Sequence, residues 1–110
     1  IFVMTSLWEG LPLVLLEAMA AGLPTAAYGI PGVTELIGDE SAGFTAAVGQ
    51  PAELAARILQ LVEDPAMRQA MATSGRERIR RDYGMATMIG RLVRLYDGAV
   101  AAVGGGTPQG

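Results

Sequence analysis

The chain has 110 residues, 51% of them hydrophobic, with a net charge of −3, no cysteine and no histidine. That length allows one small domain. Without cysteine there is no disulfide framework or thiolate metal site, and without histidine the usual general base and the commonest metal ligand are gone. Chemistry here must rest on carboxylates, hydroxyls, arginines and backbone groups.

Residues 1–4 read as the buried central strand of a parallel sheet. A natural protein rarely opens on such a strand, so the chain is expected to be the C-terminal piece of something longer. Residues 12–21 are predicted as a helix, with Pro12 suited to its first turn and Gly22 to a left-handed exit. A second strand at 24–28 follows after about twenty residues, enough for a right-handed βαβ crossover. A turn at 29–32, a short helix at 33–37 and a brief strand at 43–46 come next. The rest is helical: 51–63 with Leu54, Ile58, Leu61 and Val62 inward, 65 to about 82 with Met67, Met71 and Ile79 inward, and 85–103 with an apolar stripe from Met85 to Val100. Residues 104–110 read as a flexible tail.

The fold class expected is α/β, an incomplete Rossmann-like half with a short parallel sheet followed by C-terminal helices. The expected units are 1–83, a closing helix at 84–103, and the tail. Three strands would leave exposed edges, so the first strand is expected to pair with residues outside this chain.

Charge is lopsided. Residues 1–64 carry eight acids and one base, and residues 65–110 carry seven arginines and three acids. A basic half can mean a nucleic-acid or membrane surface. The arginines are interleaved with Glu77, Asp82 and Asp97, which favours solvated helix faces and no nucleic-acid partner. Glu9, Glu17 and Glu35 interrupt the apolar first third, so no membrane span of about 18 residues or more is expected, and no signal peptide is read.

The stretch 5–25 holds the chemistry. Glu9 lies in a Gly/Pro-containing loop, and Glu17 lies in a helix otherwise apolar on every side. Burying such a carboxylate costs several kcal/mol unless it is paired, which marks a site. The helix should begin near the carboxyl edge of the sheet, where ligands bind in open α/β folds. Its first-turn N–H groups, chiefly those of Leu13 and Val14, are free donors, and Gly10 lets the loop backbone approach closely. Such an end suits phosphate. Glu17 shares a face with Leu13 and Val14 and leans toward the N-terminus, placed to accept ribose hydroxyls. Glu9 sits on the other side of the phosphate position, where it could hold a sugar hydroxyl or steady charge at an anomeric carbon. Two plainer alternatives stand: Glu9 as an N-terminal helix acid, and Glu17 paired with an arginine from outside this chain.

Ser6, Glu9-Gly10, Leu15-Leu16-Glu17-Ala18-Met19-Ala20, Gly22-Leu23-Pro24 and Gly32-x-x-Glu35 resemble the C-terminal domain of the family 4 (group 1) retaining glycosyltransferases. These have the two-Rossmann-domain GT-B fold and an E-x7-E motif. The likeness runs over residues 1 to about 97, and the EGLP form is similar to bacterial enzymes of exopolysaccharide, capsule or lipopolysaccharide synthesis. The resemblance implies that Glu9 contacts the transferred sugar and aids catalysis, and that Gly10, Leu11, Leu13, Val14 and Glu17 bind the donor. It implies no metal or other cofactor, a nucleotide diphosphate sugar as substrate, a glycan or lipid-linked acceptor, and an N-terminal domain of the same protein as partner. It also implies a cytoplasmic location, or a peripheral one at the inner face of the cell membrane. Many members have glycine where this chain has Pro12, which removes one backbone donor. Glu35 is expected to be structural, holding the 29–32 loop. Competing readings are an epimerase or phosphorylase of the same fold, or a non-catalytic module.

Overall fold

Three short uncharged runs form a parallel sheet in the computed structural model, which describes residues 1–104. They are β1 (Phe2–Met4), β2 (Thr25–Tyr28) and β3 (Phe44–Ala46), in the order β1-β2-β3. Phe2 pairs with Thr25 and Ala26 with Phe44. The middle strand is β2, whose four residues are all buried. Among the described residues β1 and β3 form the two edges of this sheet. Among the described residues β1 pairs only with β2, so Ile1 and Val3 stay exposed while Met4 is buried.

Two helices link the strands, α1 (Leu13–Ala20) and α2 (Pro31–Ile37). Pro12 stands just outside α1 as its N-cap, with extended backbone (φ −78, ψ 95), and its carbonyl accepts from the Leu15 and Leu16 amides. A cap residue keeps non-helical angles while its carbonyl takes the first bond. Gly22 provides the left-handed exit at φ 77, a conformation that glycine adopts without a Cβ clash. Helix α2 starts at Pro31, two residues earlier than expected, because proline's fixed φ suits the first helical position.

Three longer helices follow: α3 (Pro51–Glu63), α4 (Pro65–Tyr83) and α5 (Met85–Gly104). Residues Ile1–Arg80 form one compact unit, and a second begins at Arg81. In the first, Leu15, Met19, Val33, Leu36 and Leu61 are fully buried. Leu54 and Met71 pack in a cluster with Tyr28 and Phe44, and Ile58 and Met67 close against it. Val62 is exposed, contrary to expectation. The stripe follows Leu54, Ile58 and Leu61 at steps of four and three, and Val62 falls just past its edge.

The arginines of α4 do more than face solvent. Arg68 Nη1 donates to the Leu61 and Val62 carbonyls at the end of α3, at 2.7 and 2.8 Å. Arg78 donates from Nε to the Leu36 carbonyl (2.6 Å) and from Nη2 to the Glu35 carbonyl (2.9 Å) at the end of α2. In the second unit α5 buries none of its residues, so its apolar stripe, Tyr96 and Val100 included, is exposed. No helix among the described residues is long and apolar enough to cross a membrane. Of the expected tail, Gly104 ends α5 and 105–110 lie outside the described residues.

Candidate functional site

Because the strands are parallel, β1 and β2 end on the same edge of the sheet, and α1 and α2 begin just beyond it. This carboxyl edge is where ligands sit in open α/β folds. The segment between β1 and α1 carries Glu9, Gly10, Leu11 and Pro12.

Glu9 is exposed, and its Oε1 accepts a hydrogen bond from the Ser6 hydroxyl at 3.2 Å. It stands three residues before the N-cap, and α1 has no acid in its first turn. Its position is therefore poor for serving the helix dipole, whose effect fades within the first turn. Gly10 and Leu11 are exposed beside it.

The Leu13 and Val14 amides have no acceptor among the described residues, since the first bonds to the Pro12 carbonyl come from Leu15 and Leu16. No side chain caps the helix. Both residues are mostly exposed, at 63% and 60%, so these two N–H groups stand at an open helix mouth. Such orphan donors with a partial positive charge suit an anion.

Glu17 is exposed, which corrects the expectation of a buried carboxylate and removes the desolvation cost as a mark of the site. The buried face of α1 is Leu15, Ala18 and Met19, and Glu17 belongs with Leu13 and Val14 on the open one. No hydrogen bond or ion pair engages its carboxylate among the described residues. It is left available to a ligand.

Glu35 is corrected too. Its side chain is exposed and bonds nothing in the 29–32 turn, while its main-chain carbonyl accepts from Arg78. Gly32, in contrast, is buried against the candidate loop. A methyl group on it would overlap the Gly10 carbonyl oxygen and lie 3.2 Å from Pro12 Cδ. Sequence alone cites Gly32 only within the G-x-x-E pattern, because a contact across some twenty residues leaves no local periodicity to read. Among the described residues no group of three or more acids is placed to hold a metal ion.

The model of the group 1 glycosyl transferases matches residues 1–78. A 2-deoxystreptamine glucosyltransferase from Streptomyces kanamyceticus is 35% identical over 97 residues, covering 88% of this chain and 25% of the relative. A glycogen synthase from Mycobacterium tuberculosis is 33% identical over 94 residues, covering 86% and 23%. Among solved structures, a sucrose-phosphate synthase from Thermosynechococcus elongatus superposes with a TM-score of 0.74 at 30% identity, covering 88% of this chain and 25% of that one. The chain thus spans about a quarter of the length of the relatives it matches.

Proposed function

The chain belongs to the group 1 glycosyltransferases, with part of a GT-B fold, and on that premise we propose that it is the donor-binding part of a longer transferase. That enzyme moves a sugar from a nucleotide diphosphate donor to a glycan or lipid-linked acceptor, with retention of anomeric configuration and without a metal. It works in the cytoplasm or at the inner face of the cell membrane, and an upstream domain of the same protein supplies the acceptor site.

The carrying observation is the pair of unpartnered amides at Leu13 and Val14, directly after the loop that bears Glu9. Diphosphate oxygens accept from these two groups. Each charge-assisted bond contributes about 1.5–3 kcal/mol, against roughly 0.3–1 for the helix dipole, so the bonds dominate. Gly10 and Leu11 let the loop backbone close over the donor. Glu17, one turn along the same face, accepts hydroxyl hydrogen bonds from the nucleotide ribose. It would repel the phosphates if it touched them, so it serves the ring beyond.

Glu9 meets the sugar, with its carboxylate steadied by Ser6. As the bond from anomeric carbon to diphosphate oxygen breaks, its electrons leave with the diphosphate and positive charge grows on the sugar. An acceptor hydroxyl oxygen then bonds to that carbon on the face the diphosphate leaves, and its proton passes to the departing diphosphate. A carboxylate beside that charge lowers the barrier. The amides of Leu13 and Val14 take up the negative charge on the departing group. Pro12 offers no N–H at its own position, so donor contacts come from either side of it.

Titration of the full-length protein with UDP, GDP and ADP tests the donor site. Glu17→Ala should weaken nucleotide binding by about tenfold or more, near 1.4 kcal/mol. Glu9→Gln should lower kcat by about tenfold or more with nucleotide affinity kept within about threefold. Unchanged kinetics and affinity in both variants would refute these roles.

A further inference from the structure

We infer that Gly32 is a positioning residue, setting where Glu9 stands through the contact between the first turn of α2 and the Gly10–Pro12 segment. This rests on the donor-site roles proposed above and extends them to a residue outside the E-x7-E stretch. Gly32 and Pro12 are buried, whereas Glu9, Gly10 and Leu11 are exposed. The exposed loop is seated on α2 where Gly10 and Pro12 meet Gly32. The approach leaves no room for a Cβ: it would overlap the Gly10 carbonyl oxygen and stand 3.2 Å from Pro12 Cδ. Both obstacles are backbone or ring atoms, which cannot swing aside as the end of a long side chain can.

Added bulk at Gly32 must displace one of the two segments. Helix α1 is anchored by Leu15 and Met19, both fully buried, and α2 by Val33, Leu36 and Ile37. The exposed loop has no such anchor, so it yields. Glu9 is bonded directly to Gly10 and moves with it, while Leu13 and Val14 are held in α1. The consequence is specific: the sugar-facing carboxylate is misplaced and the diphosphate mouth is kept. Misplacing a catalytic group by about 1 Å can cost around a hundredfold in rate.

The test compares full-length wild type, Gly32→Ala, Glu9→Gln and the control Gly75→Ala. At Gly75 a Cβ would find only ordinary contacts, 3.5 Å from the Ala42 carbonyl oxygen. Rates are divided by the number of binding sites counted by nucleoside diphosphate titration, so misfolded protein drops out. Gly32→Ala should lose about tenfold or more in this normalised kcat, with donor KM and nucleoside diphosphate affinity within about threefold of wild type. Gly75→Ala should match wild type. A wild-type normalised kcat in Gly32→Ala overturns the inference, as does a loss confined to donor KM. Should Gly32→Ala give no soluble protein, Pro12→Ala is measured instead, since it removes the ring from the other side of the contact. A loss of about threefold or more in normalised kcat supports the inference and an unchanged value overturns it. A silent Glu9→Gln sinks the donor-site roles and this inference together, whereas an impaired Glu9→Gln beside a silent Gly32→Ala sinks the inference alone.

Discussion

Replacing Arg78 by alanine should strip two of the four carbonyls at the end of α2 of their partners. A helix leaves its last four carbonyls without intrahelical donors. In α2 these belong to Thr34, Glu35, Leu36 and Ile37. Thr34 is served by the Gly38 amide and Ile37 by the Asp39 amide, which leaves Glu35 and Leu36 to Arg78. A hydrogen bond to a charged group contributes about 1.5–3 kcal/mol, and a guanidinium at a helix C-terminus adds a few tenths. The Glu35 bond lies at the surface, where water replaces part of what is lost. The expected net loss is about 2–3 kcal/mol. Arg78→Lys keeps the charge and one donor direction but not the fork, so about 1 kcal/mol should go. Urea unfolding followed by far-UV circular dichroism reads both. A loss below about 0.5 kcal/mol in the alanine variant, or a lysine variant no better than alanine, would refute the capping argument.

Two glycines should respond in opposite directions to the same change. Gly22→Ala should destabilise by about 1–2 kcal/mol, because φ 77 is strained for a residue with a Cβ. The Arg76 guanidinium lies against that position but can move away, so urea unfolding should report backbone strain alone. Gly75→Ala lies inside α4 with only ordinary contacts for the new methyl, and should raise stability by up to about 1 kcal/mol in the same assay.

Periodicity and punctuation made most elements legible. Prolines 51 and 65 each open a helix, and the 51–63 segment forms α3 over the expected span. The errors have physical causes. Helix α1 reads LVLLEAMA, with no polar stripe to say which side is open, so Glu17 looked buried when Leu13 and Val14 share its exposure. The order of the strands was not legible, because β1 and β2 are both short apolar runs and only their pairing sets it. The small residues Thr25, Ala26 and Ala27 of β2 were a usable hint, since they let helices approach closely. Arg78 meets Leu36 across 42 positions, and no local spacing carries such a contact. Val62 failed by a single step on the helical wheel. The placement of Glu9 in a loop just ahead of a helix start was legible because loop, proline and helix start are adjacent in sequence. The seat of that loop on Gly32 was not, because it forms only when two crossovers come together.

The donors at the mouth of α1 belong to the main chain, which hides them from ordinary mutagenesis. Exchanging Leu13 or Val14 for alanine, serine or glutamine leaves each N–H in place, so a conventional scan would score both positions as tolerant. Imino substitution is the exception. Leu13→Pro deletes one donor at a position where the ring fits the first helical turn, behind a residue already in the extended conformation that a following proline favours. Val14→Pro is the poorer probe, since it would ask a helical Leu13 to precede the ring.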